Sequence, residues 1–225
     1  MTFGTAAPRR IVAVFDLDGT LTWRDTLLPF LLSFLRRHPR RVLGLWRMPF
    51  ALLSFVAQGR DRGALKSRVI RIVMGGAART DVDACADAFV DTLRPRHRLR
   101  PAALAALEAH RTAGDHLVLL SASPDLYVPR IGRRLGFERT LCTELEWRAD
   151  RLEGALRTAN RRGAEKLRCL TWLRTQYPDL PIVAYGNSAS DLDHMREADR
   201  ALLVNGNAAA RAQAKQWGIP TSEWV

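Results

Sequence analysis

The sequence predicts an α/β protein: an open, parallel, Rossmann-like sheet interrupted after its first strand by an inserted all-helical cap. Three observations predict it. Short apolar runs at 11–15, 117–120, 182–185 and 201–204 have the length and character of strands buried on both faces. Helical patterns at about 101–113, 125–135, 163–176, 191–197 and 207–217 separate them, and such alternation builds a parallel sheet. Residues 23–98 break the alternation, because they carry no convincing strand. The expected division is therefore a core of 1–22 and 99–225 with a cap of 23–98.

The first run, Val12–Phe15, stops at Asp16-Leu17-Asp18-Gly19-Thr20. Residues i and i+2 of a strand point the same way, so Asp16 and Asp18 start on one side of the chain. The carboxyl end of a parallel strand is where such sheets bind ligands. Two carboxylates so close need a cation, and hard oxygen donors favour magnesium. One carboxylate is then a candidate nucleophile and the other an acid and base. Aspartate and glycine also make ordinary turns, an alternative that this motif alone leaves open.

Helices are expected in the cap at 26–37, 40–58, 62–74 and 81–94. From Arg24 to Ile72 the chain carries eleven Lys or Arg against two Asp, which places nine of its twelve net positive charges there. The ten residues Met48–Ala57 hold no charge and a single hydroxyl. Burial in a helical bundle accounts for any one of these apolar residues. Flanking arginines and Trp46 also suit a helix lying in the plane of an anionic membrane, where each basic residue contributes about 1 kcal/mol. An arginine-rich composition with a solvated face is the plainer source of the charge.

In the core, Pro101 suits a helix start, and Gly136 and Gly218 suit helix ends. The run Leu117–Leu120 stops at Ser121-Ala122-Ser123-Pro124, where Ser123 reads as a helix cap with Pro124 at the first position. Thr143–Leu156 alternates around Asp150 as a hairpin does. Lys166 is one of only three lysines among 35 basic residues. A compact ammonium sits between an aspartate and a phosphate more easily than a guanidinium, although a solvated helix charge is the alternative. The run Ile182–Tyr185 breaks at Gly186 and offers the oxygens of Asn187 and Asp191; Asp193 reads as a surface helix residue.

Together these segments resemble the four ordered motifs of the haloacid dehalogenase superfamily, mostly phosphatases that work through an aspartyl phosphate. The resemblance implies Asp16 as nucleophile and Asp18 as acid and base. It implies Ser121 and Lys166 on the phosphoryl group, and Mg2+ held by Asp16, the Asp18 carbonyl and the loop of Asn187 and Asp191. Asn187 stands where the family commonly has aspartate, so it offers an oxygen without a charge and leaves Asp191 the stronger donor. A helical cap at this station resembles the branch that includes phosphoserine phosphatases. The cap pattern of Phe30-Leu31 and Arg36-Arg37-x-Pro39, followed by an apolar, basic helix and Gly59-Arg60, resembles phosphatidylglycerophosphatase C and its bacterial relatives.

The substrate so implied is a lipid phosphate such as phosphatidylglycerophosphate, reached through peripheral contact of the basic cap with an anionic membrane. The alternative is a small metabolite such as phosphoserine, drawn in by the basic cap. Nucleic acid is not expected, because the aromatics sit among aliphatics and no reading motif is present. Cys85, Cys142 and Cys169 lack metal-ligand spacing and read as free thiols of a reducing compartment. Residues 1–10 lack a signal-peptide stretch, and no run approaches the roughly 18 apolar residues that span a bilayer. A cytoplasmic protein, peripheral on the inner face of the membrane, is the expectation. The five histidines are scattered and are given no role.

Overall fold

The computed structural model describes residues 10–57, 59–93 and 98–225. The expected helix ends at 58 and 94, and the reading of residues 1–9 as free of a leader, lie outside these. Strand β1 is Val12–Phe15. Among the described residues the helices α1 Leu27–Arg37, α2 Met48–Ala57, α3 Arg62–Met74 and α4 Arg79–Thr92 follow. Helix α5 (Pro101–Thr112) leads into β2 (His116–Pro124), α6 (Val128–Arg134) and β3 (Arg139–Thr143). The hairpin strands β4 (Leu145–Arg148) and β5 (Arg151–Leu156) precede α7 (Ala164–Gln176). The chain closes with β6 (Ile182–Gly186), α8 (Leu192–Arg196), β7 (Arg200–Val204), α9 (Ala208–Gln216) and β8 (Thr221–Ser222).

The sheet runs β3-β2-β1-β6-β7-β8, and all its pairs are parallel. The chain winds outward from β1 in both directions, so the carboxyl end of β1 is a topological switch point. Alternation along β1 divides the core. Ala13 and Phe15 join one cluster with Phe30 and Phe34 of α1, Ile70 and Met74 of α3, and Phe89 of α4. Val12 and Val14 face Cys169, Leu170 and Leu173 of α7. The helices after β1 thus share a core with one face of the sheet. Their segment leaves and rejoins the sheet at one place, where Thr22 bridges Leu99 and Trp23 N–H donates to the Arg98 carbonyl at 3.1 Å.

The structure corrects several expected elements. The helix expected over 40–58 is instead a 3-10 segment, Pro39–Arg47, followed by α2. Pro49 has no N–H to continue the ladder, and Gly44 lies against the Ile72 carbonyl of α3, where a Cβ would stand 3.2 Å away. The helix expected from 125 starts at Val128, because β2 runs on through Ser121-Ala122-Ser123-Pro124. Ser123 is therefore a strand residue and not a helix cap. Strands β3 and β8 carried no recognisable run: β3 reads Arg-Thr-Leu-Cys-Thr and β8 is two residues long. Cys85, Cys142 and Cys169 are free and buried.

The hairpin is present, and its turn residues Ala149 and Asp150 both have positive φ, 43° and 59°. That is the geometry of a primed two-residue turn, which favours Asn or Gly at the first position. Alanine there carries the left-handed penalty of about 1 kcal/mol. Ala149→Asn is expected to raise the melting temperature by about 2–4 °C in a thermal unfolding scan.

Candidate active site

Asp16 follows β1 directly, and its N–H donates to the Tyr185 carbonyl at 3.0 Å, which extends the pairing with β6 by one residue. The chain then turns through Leu17–Leu21, with Gly19 at φ +83°. Only glycine fits there: a Cβ on Gly19 would stand 2.0 Å from the Asn187 side-chain amide. This close approach brings the loop after β6 over the turn after β1. Gly186 does the same for Asp191, whose Cβ lies 2.6 Å from where a Cβ on Gly186 would be.

The structure brings Asp16, Asp18, Lys166, Asn187 and Asp191 to the walls of one cleft of about 460 Å3, which Lys66, Ser123 and Asn160 also line. Lys166, on the first turn of α7, is 2% exposed and donates to Asp16 Oδ1 and to Asp191 Oδ1, both at 2.6 Å. The other oxygen of Asp16 accepts from Thr20 Oγ1 at 3.0 Å. Asp191 Oδ2 accepts from the Asn187 and Ser188 N–H groups and from Ser188 Oγ. Both oxygens of Asp191 are thus engaged in holding Lys166 and its own loop. Ser121 is fully buried at the end of the apolar part of β2, and its Oγ accepts from the Ser123 N–H at 3.0 Å.

Two further residues hold Asp18. Thr26 donates to Asp18 Oδ1 from both its N–H and its hydroxyl, each at 2.7 Å, and Ser123 Oγ donates to Oδ2 at 2.6 Å. Sequence reasoning missed both. Ser123 had a legible signal, since it lies two residues beyond Ser121 on one strand and so on the same side. Thr26 had none, eight residues past Asp18 and outside any motif. His194, given no role from sequence, is buried beside this network and kept neutral, with its pKa pushed down to about 3 by burial.

Burial sets the electrostatics. It pushes the Asp16 carboxyl up to about 7, with Lys166 pulling the other way and the Asp191 and Asp18 charges adding to the rise. Burial also raises Asp18, assisted by the charge of Asp25 and opposed by the Ser123 and Thr26 hydrogen bonds. For Lys166 burial favours the neutral amine, but the Asp16 and Asp191 carboxylates outweigh it and keep the ammonium charged. Among the described residues, Lys166 is the one cation within ion-pairing distance of Asp16 and Asp191, and none stands within that distance of Asp18.

That imbalance fits a divalent cation. The cleft walls offer carboxylate and amide oxygens, with neither thiolate nor imidazole. Among the described residues no three His, Cys, Asp or Glu side chains are grouped to cage a metal. Magnesium does not require such a cage: it keeps several waters and binds through one or two carboxylates with substrate phosphate.

A family model described as haloacid dehalogenase-like hydrolase matches residues 13–196, which takes in Asp16, Asp18, Ser121, Lys166, Asn187 and Asp191. The chain is a haloacid dehalogenase-like hydrolase. This hydrolase is 35% identical over 192 residues to Protein CicA of Caulobacter vibrioides, spanning 84% of the chain and 83% of that relative. It is 25% identical over 222 residues to a probable phosphatase of Mycobacterium tuberculosis, spanning 96% and 76% of the two. A probable phosphoserine phosphatase from Vibrio cholerae shares the fold with a TM-score of 0.67 at 16% identity, over 95% of this hydrolase and 61% of that chain.

Proposed function

We propose that this hydrolase is a magnesium-dependent phosphomonoesterase that works through a phosphoryl group on Asp16, with a membrane lipid phosphate such as phosphatidylglycerophosphate as its substrate. One observation carries the chemistry: Asp16 and Asp18 stand together at the carboxyl end of β1, and Lys166 joins Asp16 to Asp191. The name of the M. tuberculosis relative, a probable phosphatase, agrees with this class.

Asp16 attacks phosphorus, and the bond from phosphorus to the ester oxygen breaks as the new one forms. Asp18 gives its proton to the departing alkoxide. The Asp18 carboxylate then takes a proton from water, whose oxygen attacks phosphorus and frees Asp16 and inorganic phosphate. Thr26 and Ser123 keep Asp18 in one orientation for both steps. Lys166 spends two of its three donors on Asp16 and Asp191, which leaves the third for a phosphoryl oxygen. The Ser121 hydroxyl proton serves a second oxygen. Asp16, the Asp18 carbonyl and the loop of Asn187 and Asp191 would hold the magnesium, which neutralises phosphate charge when bound.

The lipid part of the reading is supported by the surface of residues 23–98, which we take as a cap domain. Nine of the twelve exposed large apolar residues among those described lie between Leu28 and Val56. Helix α2 buries only Ala51 and exposes Phe50, Leu52, Leu53 and Val56. Arg36, Arg37, Arg40 and Arg47, in the same stretch of chain, are exposed, and Arg47 lies beside Phe50 and Ala51. An apolar face of this kind with basic residues nearby suits an interface between acyl chains and anionic headgroups. No helix among the described residues is long and apolar enough to cross a membrane.

The test is phosphate release, with magnesium and then with chelator, from phosphatidylglycerophosphate vesicles and from phosphoserine and other dissolved esters. Turnover concentrated on the vesicles and abolished by chelator is expected. Turnover confined to the dissolved esters would discard the lipid and favour a small metabolite. Leu43→Glu with Leu53→Glu, both at exposed positions, is expected to lower vesicle co-sedimentation at least about tenfold. The melting temperature should stay at the wild-type value.

A further inference from the structure

Lys66, which no motif uses, reaches from α3 into the cleft. Its ammonium donates to the Ala122 carbonyl and, at 2.5 Å, to Asn160 Oδ1. Ala122 lies between Ser121 and Ser123, so the charge of Lys66 stands one residue from the groups that serve the phosphoryl site. Two of its three donors are taken, and the third is left for the cleft. Arg62 lies one helical turn earlier on the same face of α3, and Arg162 precedes α7; both line the same cleft.

Among the described residues, no carboxylate stands within ion-pairing distance of Arg62, Lys66 or Arg162. The three also repel one another: the charge of Arg162 lowers the pKa of Lys66, and the charge of Arg62 lowers that of Arg162. Burial is the larger cause of the fall at Lys66, to about 8, against the opposing pull of Asp18 and Asp25. Asp191 and Asp16 pull on Arg162 from a distance, as Asp18 and Asp25 do on Lys66. Three cations in one cleft with no carboxylate paired to them, beside a phosphoryl site, are a binding feature that an anionic ligand would complete.

We propose that Arg62, Lys66 and Arg162 form a second anion-binding subsite, which takes a phosphodiester or carboxylate carried by the alcohol portion of the ester. This rests on the phosphomonoesterase reading and narrows its substrate class: the substrate carries two anionic groups, one hydrolysed and one gripped. The subsite joins the two segments of chain, since α3 supplies Arg62 and Lys66 and the loop before α7 supplies Asn160 and Arg162.

The experiment compares kcat and KM of the wild type, Lys66→Met and Arg62→Ala on three esters with magnesium. These are p-nitrophenyl phosphate, with no second anion, L-phosphoserine, with a carboxylate, and dioctanoyl phosphatidylglycerophosphate, with a phosphodiester. Each variant is expected to raise KM for one or both anionic esters at least about tenfold more than for p-nitrophenyl phosphate, a loss of discrimination worth about 1.4 kcal/mol. The ester that suffers more names the anion. Equal losses on all three would overturn the proposal and leave Lys66 as a structural tie to Ala122 and Asn160. Arg62 is exposed and ties nothing, so it keeps the test sound if Lys66→Met unfolds. Absence of wild-type turnover on every ester would count against the phosphomonoesterase reading instead. Tryptophan fluorescence titrated with the same esters then decides the subsite: weaker binding of the anionic esters in the variants supports it, and unchanged binding overturns it.

Discussion

Asp16→Asn is expected to lower kcat by at least about a thousandfold, with the circular dichroism spectrum and cooperative melting of the wild type retained. The amide matches the carboxylate in shape: its single oxygen can stand at the Oδ1 position and accept from Lys166, while its NH2 at the Oδ2 position donates to the Thr20 hydroxyl, which can accept. What the amide lacks is the charged oxygen that forms the bond to phosphorus. Folding has little to lose, because Asp16 is a buried carboxylate whose own pKa is pushed up by burial. Lys166 keeps Asp191 as its partner in the variant. Phosphate release and a thermal melt on the same sample check both halves, and wild-type turnover in this variant would remove Asp16 from the mechanism.

Lys166→Met should be the most damaging change to stability, with a cost of about 3–5 kcal/mol from leaving buried charge uncompensated. Lys166 is 2% exposed, and the two carboxylates it separates are 7% and 1% exposed. Without the ammonium these two buried carboxylates are left with no countercharge between them. A drop in the denaturant midpoint checks this, and turnover is expected to vanish as well. Adding Asp16→Asn removes one of the repelling charges, so the double variant should recover part of the lost stability. Lys166→Arg is not expected to rescue either property, because a planar guanidinium does not occupy the place of a compact ammonium between two carboxylates.

How much of this was legible in the sequence differs by residue, for physical reasons. β1 was legible because it is buried on both faces and ends at two carboxylates one residue apart. The expected helix 62–74 is α3 to the residue, since Asp61 caps it by accepting from the Gly63 and Ala64 N–H groups and Gly75 ends it. Lys166 stood out because lysine is scarce in this chain. Ser123 and Lys66 acquire their places from partners far along the chain. Ser123 meets Asp18 across 105 residues and Lys66 meets Asn160 across 94, and no local pattern encodes such pairings. The 3-10 segment was hidden for a different reason. Its apolar spacing is helical, and only the close approach of Gly44 to α3 and the restart at Pro49 divide it from α2. The exposed face of α2 is a place where local and global preferences disagree, because a helix this apolar has almost no core of its own to fill.

Phosphorus that passes through Asp16 can be caught there. The wild type, incubated with magnesium and a phosphate ester and quenched in acid during turnover, is digested, and the peptide that contains Asp16 is weighed. The expected result is a phosphoryl group on Asp16 that base removes and that never forms in Asp16→Asn. Steady turnover with no phosphoryl group on that peptide, together with activity in Asp16→Asn, would contradict it.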